Sequence, residues 1–198
     1  MKRLFTMALA VVAVQIATAN EGALIEWNPE RLLTWDDFDG PVPERVGDNR
    51  VAAASVSLSW SYEYMLEWSR NTCRFSINKI ESSALFHPET SWVRPGHRND
   101  AVLGHEQVHF DITEWYKRRF ERETAAFVGV DRSCRGGNEQ AAARYIQREI
   151  SRLVGSKYDE IWQQYRREQE AYDSETRHGI DTARQAEWAA KVAAELGQ

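Results

Sequence analysis

Several things are scarce in this chain, and each scarcity excludes something. Only two cysteines occur in 198 residues and neither stands in a CxxC pair, which argues against a cysteine-based zinc site. Five Pro and eleven Gly are too few for a low-complexity chain. There is no basic excess: 25 Lys and Arg face 30 Asp and Glu, for a net charge of −5. That balance lacks the electrostatic footprint of a nucleic-acid-binding protein and disfavours adhesion to acidic lipid. No apolar run reaches the 18 residues of a spanning helix, and no internal repeat is visible. What is present is ordinary for one soluble domain: 42% hydrophobic and 28% charged residues, which excludes collagen-like, coiled-coil-only and disordered classes. Eight Trp, seven Tyr and seven Phe supply a core.

The first nineteen residues read as a leader. Lys2 and Arg3 form a positive start, residues 4–16 are apolar apart from Thr6 and Gln15, and Ala17-Thr18-Ala19 is a small-x-small cleavage site. A cut before Asn20 leaves 23 basic against 30 acidic residues, or −7, with no Cys after the cut to carry a lipid anchor. The mature chain, 20–198, is then periplasmic or secreted, with no stable membrane insertion. In that setting Cys73 and Cys134 are expected to pair. They would close a loop of about 62 residues, worth roughly 4 kcal/mol in the chain-entropy model.

The mature chain reads as a single α+β domain, a small N-terminal antiparallel β-sheet followed by long helices. Residues 23–27 are strand-like, Leu33-Thr34-Trp35-Asp36-Asp37-Phe38 is a capped turn, and residues 40–49 are loop. Over residues 51–67, Val56, Leu58 and Trp60 alternate with Ser57, Ser59 and Ser61, the period of a strand. Residues 73–85 form a second strand with Phe75, Ile77 and Ile80 inward, and Pro88 and Pro95 bracket a loop holding Trp92. After Pro95 the pattern turns helical: residues 101–127, capped by Asn99 or Asp100, then 139–172 with a kink at Gly155, then 181–196.

The segment that carries chemistry is Gly104-His105-Glu106-Gln107-Val108-His109, on the first long helix. Two His four residues apart are offset by about 40° around a helix and about 6 Å along it, so both imidazoles reach one ion. Glu106 points about 100° away from His105, where it flanks the ion and can hold and deprotonate an attacking water. Five His and twenty Glu would place HExxH by chance in about one such chain in eighty, which favours the metal reading.

A catalytic zinc needs a third protein ligand and one open position. Glu114, about 140° around from His109, suits a surface pair with Lys117 or Arg118 instead. Asp111 is off the metal face and fits a structural acceptor. His87 and His97 lie in loop-like sequence. His178 follows the second long helix, where a returning chain meets the first, and is the favoured third ligand. Glu149 and Glu160 remain rivals. Asp173 or Glu175 could accept from the His178 ring, and Tyr172 could donate to a developing oxyanion or simply end its helix as a core aromatic. Trp35 and Phe38 read as core or staple residues, not as substrate contacts.

The run Leu103-Gly104-His105-Glu106-Gln107-Val108-His109-Phe110-Asp111-Ile112 is similar to the core of a bacterial family of predicted secreted zinc-dependent proteases, the domain of unknown function DUF922. Two more segments match in order, Leu33-Thr34-Trp35-Asp36-Asp37-Phe38 near the start and Tyr172-Asp173, Thr176 and His178-Gly179 near the end. The resemblance implies a zincin-type metallopeptidase with His105 and His109 on zinc and Glu106 as the catalytic carboxylate. The expectation is therefore an exported Zn2+-dependent peptidase acting on protein or peptide substrates, with a non-catalytic zinc-binding envelope protein or a hydrolase of cell-wall peptide crosslinks as alternatives.

Overall fold

The structure, a computed structural model, describes residues 23–47, 50–69 and 72–198. The expected leader and its cleavage site lie outside the described residues. Among the described residues no helix is long and apolar enough to cross a membrane.

The fold is α+β, with an antiparallel sheet in the N-terminal half and long helices after it. Strands β3 (Val56–Trp68) and β4 (Cys73–Phe86) lie side by side, and the short β1 (Ile25–Glu26) and β6 (Arg132–Ser133) pair antiparallel with β4. A separate two-stranded ribbon joins β2 (Ala52–Ala53) to β5 (Trp92–Val93). The segment between Pro88 and Pro95, expected as loop, thus contains a strand with Trp92 buried; two residues are too few to show a period. Helix α1 (Asp100–Thr124) starts where the Asn99 side chain accepts the Val102 N–H, at 3.1 Å. Helix α2 (Glu139–Ile150) is capped by Asn138 and α4 (Thr182–Leu196) by Asp181. Between α2 and α3 (Ser156–Thr176) the chain makes one π turn, Ser151–Gly155, at the place where a kink was expected.

The residues cluster into two compact units. One comprises Trp60–Glu81 and Glu121–Tyr158. Here Phe75, Ile77, Ala142, Ile146, Ile150 and Val154 are buried, and Trp60, Tyr62 and Tyr64 stack along alternate positions of β3. The expected disulfide is formed between Cys73 and Cys134. Beside it the Cys134 N–H donates to the Cys73 carbonyl at 2.9 Å. Gly136 admits no side chain, since a Cβ there would lie 2.3 Å from the Ala142 nitrogen.

The other unit takes Ser82–Phe120, Asp159–Gln198 and the described residues up to Ser59. Leu33, Phe38, Ala84, Phe86 and Phe110 form its core, with Trp27, Trp35, Val56 and Leu103 packed against them. Each buried ring of this kind contributes about 1.5–3 kcal/mol by removal from water. Phe38 is thus a core residue and Trp35 packs against that core, half-buried. The turn that carries them is a short 3₁₀ helix (Trp35–Asp37), whose Asp37 carboxylate accepts from the Thr34 N–H and hydroxyl at 2.7 and 3.1 Å.

Candidate metal centre

Helix α1 presents His105, Glu106 and His109 to a cleft of about 380 Å³. Its opposite wall is α3, where Gln169 and Asp173 stand four residues apart on one face. The two imidazole Nε2 atoms lie 3.2 Å from each other. Asp173 Oδ1 lies 3.1 Å from that of His105 and 3.0 Å from that of His109. Donor atoms about 2.0–2.2 Å from a tetrahedral zinc stand roughly 3.3–3.5 Å apart, so these three nearly span one face of such a site. Burial alone would raise the Asp173 carboxyl, but its bonds to His105 and His109 hold it well below the usual carboxylate range. Burial would likewise lower His109; the bond to Asp173 and the charge of Glu106 outweigh it and raise that imidazole above its ordinary value. Three lone-pair donors this close call for positive charge between them, which a proton or a metal ion supplies.

The two imidazoles are supported differently. His109 Nδ1 meets Gln169 Oε1 at 2.5 Å, while Gln169 Nε2 donates to the His109 carbonyl at 2.9 Å. His105 is held by packing. Its ring stacks on Tyr172 with centroids 4.6 Å apart, and Gly179 presses on its other flank. Among the described residues, His105 Nδ1 has no hydrogen-bond partner.

Glu106 is buried, and its Oε2 accepts the Ala54 N–H at 2.6 Å. The backbone beside β2 therefore fixes one carboxylate oxygen of a side chain that lines the cleft. Arg50 reaches the outer oxygen of Asp173 at 3.4 Å from the cleft's rim.

The structure departs from the sequence reading at the third donor. Asp173, expected behind His178 as its acceptor, is itself the third convergent atom. His178 lines the cleft with its Nδ1 3.3 Å from Asp173 Oδ1, but it is not one of the three convergent donors. The reason is local: α3 stays helical to Thr176, keeping Asp173 on the face that meets α1, while His178 sits beyond the helix end at φ +54°. Glu149 is bonded to Arg152 and Glu160 is exposed; neither joins the cluster.

Tyr172, the other candidate on α3, is placed differently from Asp173. Its ring is fully buried, its hydroxyl donates to the His105 carbonyl at 3.3 Å, and it does not line the cleft. Burial and the charges of Glu106 and Asp173 push that hydroxyl far above its ordinary range. Of the two roles open to it in the sequence, the structure shows the core aromatic, bonded to the His105 backbone.

The remaining candidates are structural. Asp111 accepts from the Trp27 indole and from Gln107, both at 2.8 Å. Glu114 does pair with Arg118 at 2.7 Å and Lys117 at 3.6 Å, but it is buried, not a surface residue. Arg118 also donates to the Leu196 carbonyl and lies over Trp27, which draws the α1 pair inward. Glu175 accepts from Trp188. His87 is bonded to Ser57 at 2.7 Å, and His97 is exposed in a turn. Gln169, Arg50 and the Ala54 N–H escaped the sequence reading. The one signal available was the four-residue spacing of Gln169 and Asp173.

An α+β fold with a histidine–carboxylate donor cluster flanked by a buried glutamate defines the kind of site this chain carries. The chain belongs to the family described as bacterial protein of unknown function, DUF922, whose model matches residues 36–179. No curated protein and no solved structure matches it.

Proposed function

We propose that the chain is an exported zinc-dependent peptidase. The observation that carries the reading is the convergence of His105 Nε2, His109 Nε2 and Asp173 Oδ1 within 3.0–3.2 Å, with Glu106 beside them in one cleft. His105, His109 and Asp173 would hold the metal. Zinc held there would supply acidity to a bound water, bringing its pKa towards about 7, and would polarise a substrate carbonyl. Glu106, anchored through Oε2 by the Ala54 N–H, takes a proton from the attacking water with its other oxygen and returns it to the leaving amine as the C–N bond breaks. Arg50 and His178 line the cleft beside Asp173 and would offset the negative charge that develops on a carbonyl oxygen bound there. The Cys73–Cys134 disulfide suits an oxidising compartment, which supports action in the periplasm or outside the cell.

The test is direct. Mature protein purified without chelator should hold about one zinc per chain and cleave members of a peptide library that includes crosslinked cell-wall peptides. Glu106→Gln should keep the zinc and lose about two to four orders of magnitude in turnover. Equal turnover by wild type and the Gln variant rejects this mechanism. A second reading is a non-catalytic zinc protein: His178, whose Nδ1 lies 3.3 Å from Asp173 Oδ1 but outside the three-donor cluster, would move in as a fourth ligand. A four-ligand zinc with no exchangeable water in the wild type would select that reading.

A further inference from the structure

We infer that Gln169 is a positioning residue that selects the tautomer of His109 and so presents its Nε2 lone pair to a metal; this rests on the metal-site reading above. Gln169 Nε2 lies 2.9 Å from the His109 carbonyl and 3.4 Å from Thr113 Oγ1. A carbonyl oxygen only accepts, so the nitrogen end of the amide must point that way. The oxygen end is then the atom 2.5 Å from His109 Nδ1, and an amide oxygen cannot donate. Nδ1 therefore carries the hydrogen, and in the neutral ring Nε2 carries the lone pair. Nε2 faces Asp173 Oδ1, the third donor of the site, so a metal there would take the place of a proton between the two atoms.

The arrangement is braced on both helices. Thr113 Oγ1 donates to the same His109 carbonyl at 2.9 Å and is within 3.2 Å of the Tyr165 hydroxyl. Thr113 is fully buried and Tyr165 nearly so. One side chain on α3 thus holds both the backbone and the ring of a residue on α1. His105 has no counterpart, since its Nδ1 has no partner among the described residues and its ring is fixed by Tyr172 and Gly179. Tautomer control in this site is one-sided, and Gln169 supplies it.

Two variants of the full mature chain test this. Gln169→Met keeps the length and removes the acceptor, whereas Gln169→Glu keeps an oxygen facing Nδ1. In metal-free protein, at a pH where the imidazoles are neutral, long-range proton–nitrogen NMR should show wild-type His109 as the Nδ1–H form, with its signals assigned from a His109→Asn sample. Gln169→Met should shift it to a mixture or to the Nε2–H form, and Gln169→Glu should restore Nδ1–H. In zinc titrations the Met variant should bind about 10–100-fold more weakly, with the Glu variant near or above wild type. An unchanged Nδ1–H tautomer in the Met variant overturns the inference. If wild type binds no zinc, the peptidase reading falls, while the metal-free NMR measurement still decides the role of Gln169. Should the Met variant fail to fold, Gln169→Glu remains decisive, because loss of the Nδ1–H form there would also overturn it.

Discussion

Gly179 shows how one residue can matter to the site without contributing a donor. Its φ is +84°, and a Cβ there would lie 3.1 Å from His105 Cγ and 3.2 Å from His105 Cβ. Arg177 and His178 precede it, each at φ +54°, so three consecutive residues hold a left-handed conformation that side chains disfavour. Such strain persists where surrounding contacts enforce it. Here the Thr176 hydroxyl bonds to the Tyr172 carbonyl, and the His178 N–H bonds to the Asp173 carbonyl. Gly179→Ala combines backbone strain with a clash against the ring. We expect it to destabilise the fold by about 1–3 kcal/mol and to weaken zinc binding as His105 is displaced. Thermal denaturation and zinc titration of the same sample measure both. A variant with wild-type zinc affinity would mean that His105 is not positioned by this contact.

At the scale of elements, the caps do much of the ordering, and the turn of Trp35–Asp37 gives the clearest pH dependence. Burial would raise the Asp37 carboxyl; the Thr34 N–H and the Arg31 guanidinium outweigh it and lower it below its usual value. An acid with a lowered native pKa stabilises the fold above its unfolded value and loses that contribution as pH falls through the native one. Asp37→Ala should therefore cost about 1 kcal/mol near neutrality, as lost caps do, and the difference from wild type should shrink as pH drops below about 4. Urea denaturation of both proteins at several pH values checks the sign. A gap that widens on acidification would exclude this account. The N-cap at Asn99 is legible in sequence for the same reason that Asp37 is: a cap acts within three or four residues of itself, as those at Asn138 and Asp181 also do.

At the scale of the whole molecule, the disulfide and the metal centre belong to different compact units. Cys73 and Cys134 lie in one, and every site residue lies in the other. Replacing both cysteines by Ser should lower unfolding stability by roughly 4 kcal/mol or less, while the fraction that folds keeps wild-type zinc affinity. Denaturant midpoints and zinc titration below the transition separate the two effects. Loss of affinity in the folded state would mean that the bridge also shapes the site. By itself the sequence determined whatever depends on short separations or on few choices. Helical spacing aligns His105 with His109 and sets Glu106 to their side, alternation marks β3, and two cysteines allow one pairing. Only the tertiary structure decided which face of α3 meets α1. The π turn at Ser151–Gly155 makes the reason physical: one extra residue per turn shifts all that follows by about 100°, so periodicity read from residue 139 cannot be carried through to 173. Asp173 and Gln169 were therefore found by packing, as was the Ala54 N–H that fixes Glu106, because the link between β2 and β3 approaches α1 only in the folded chain.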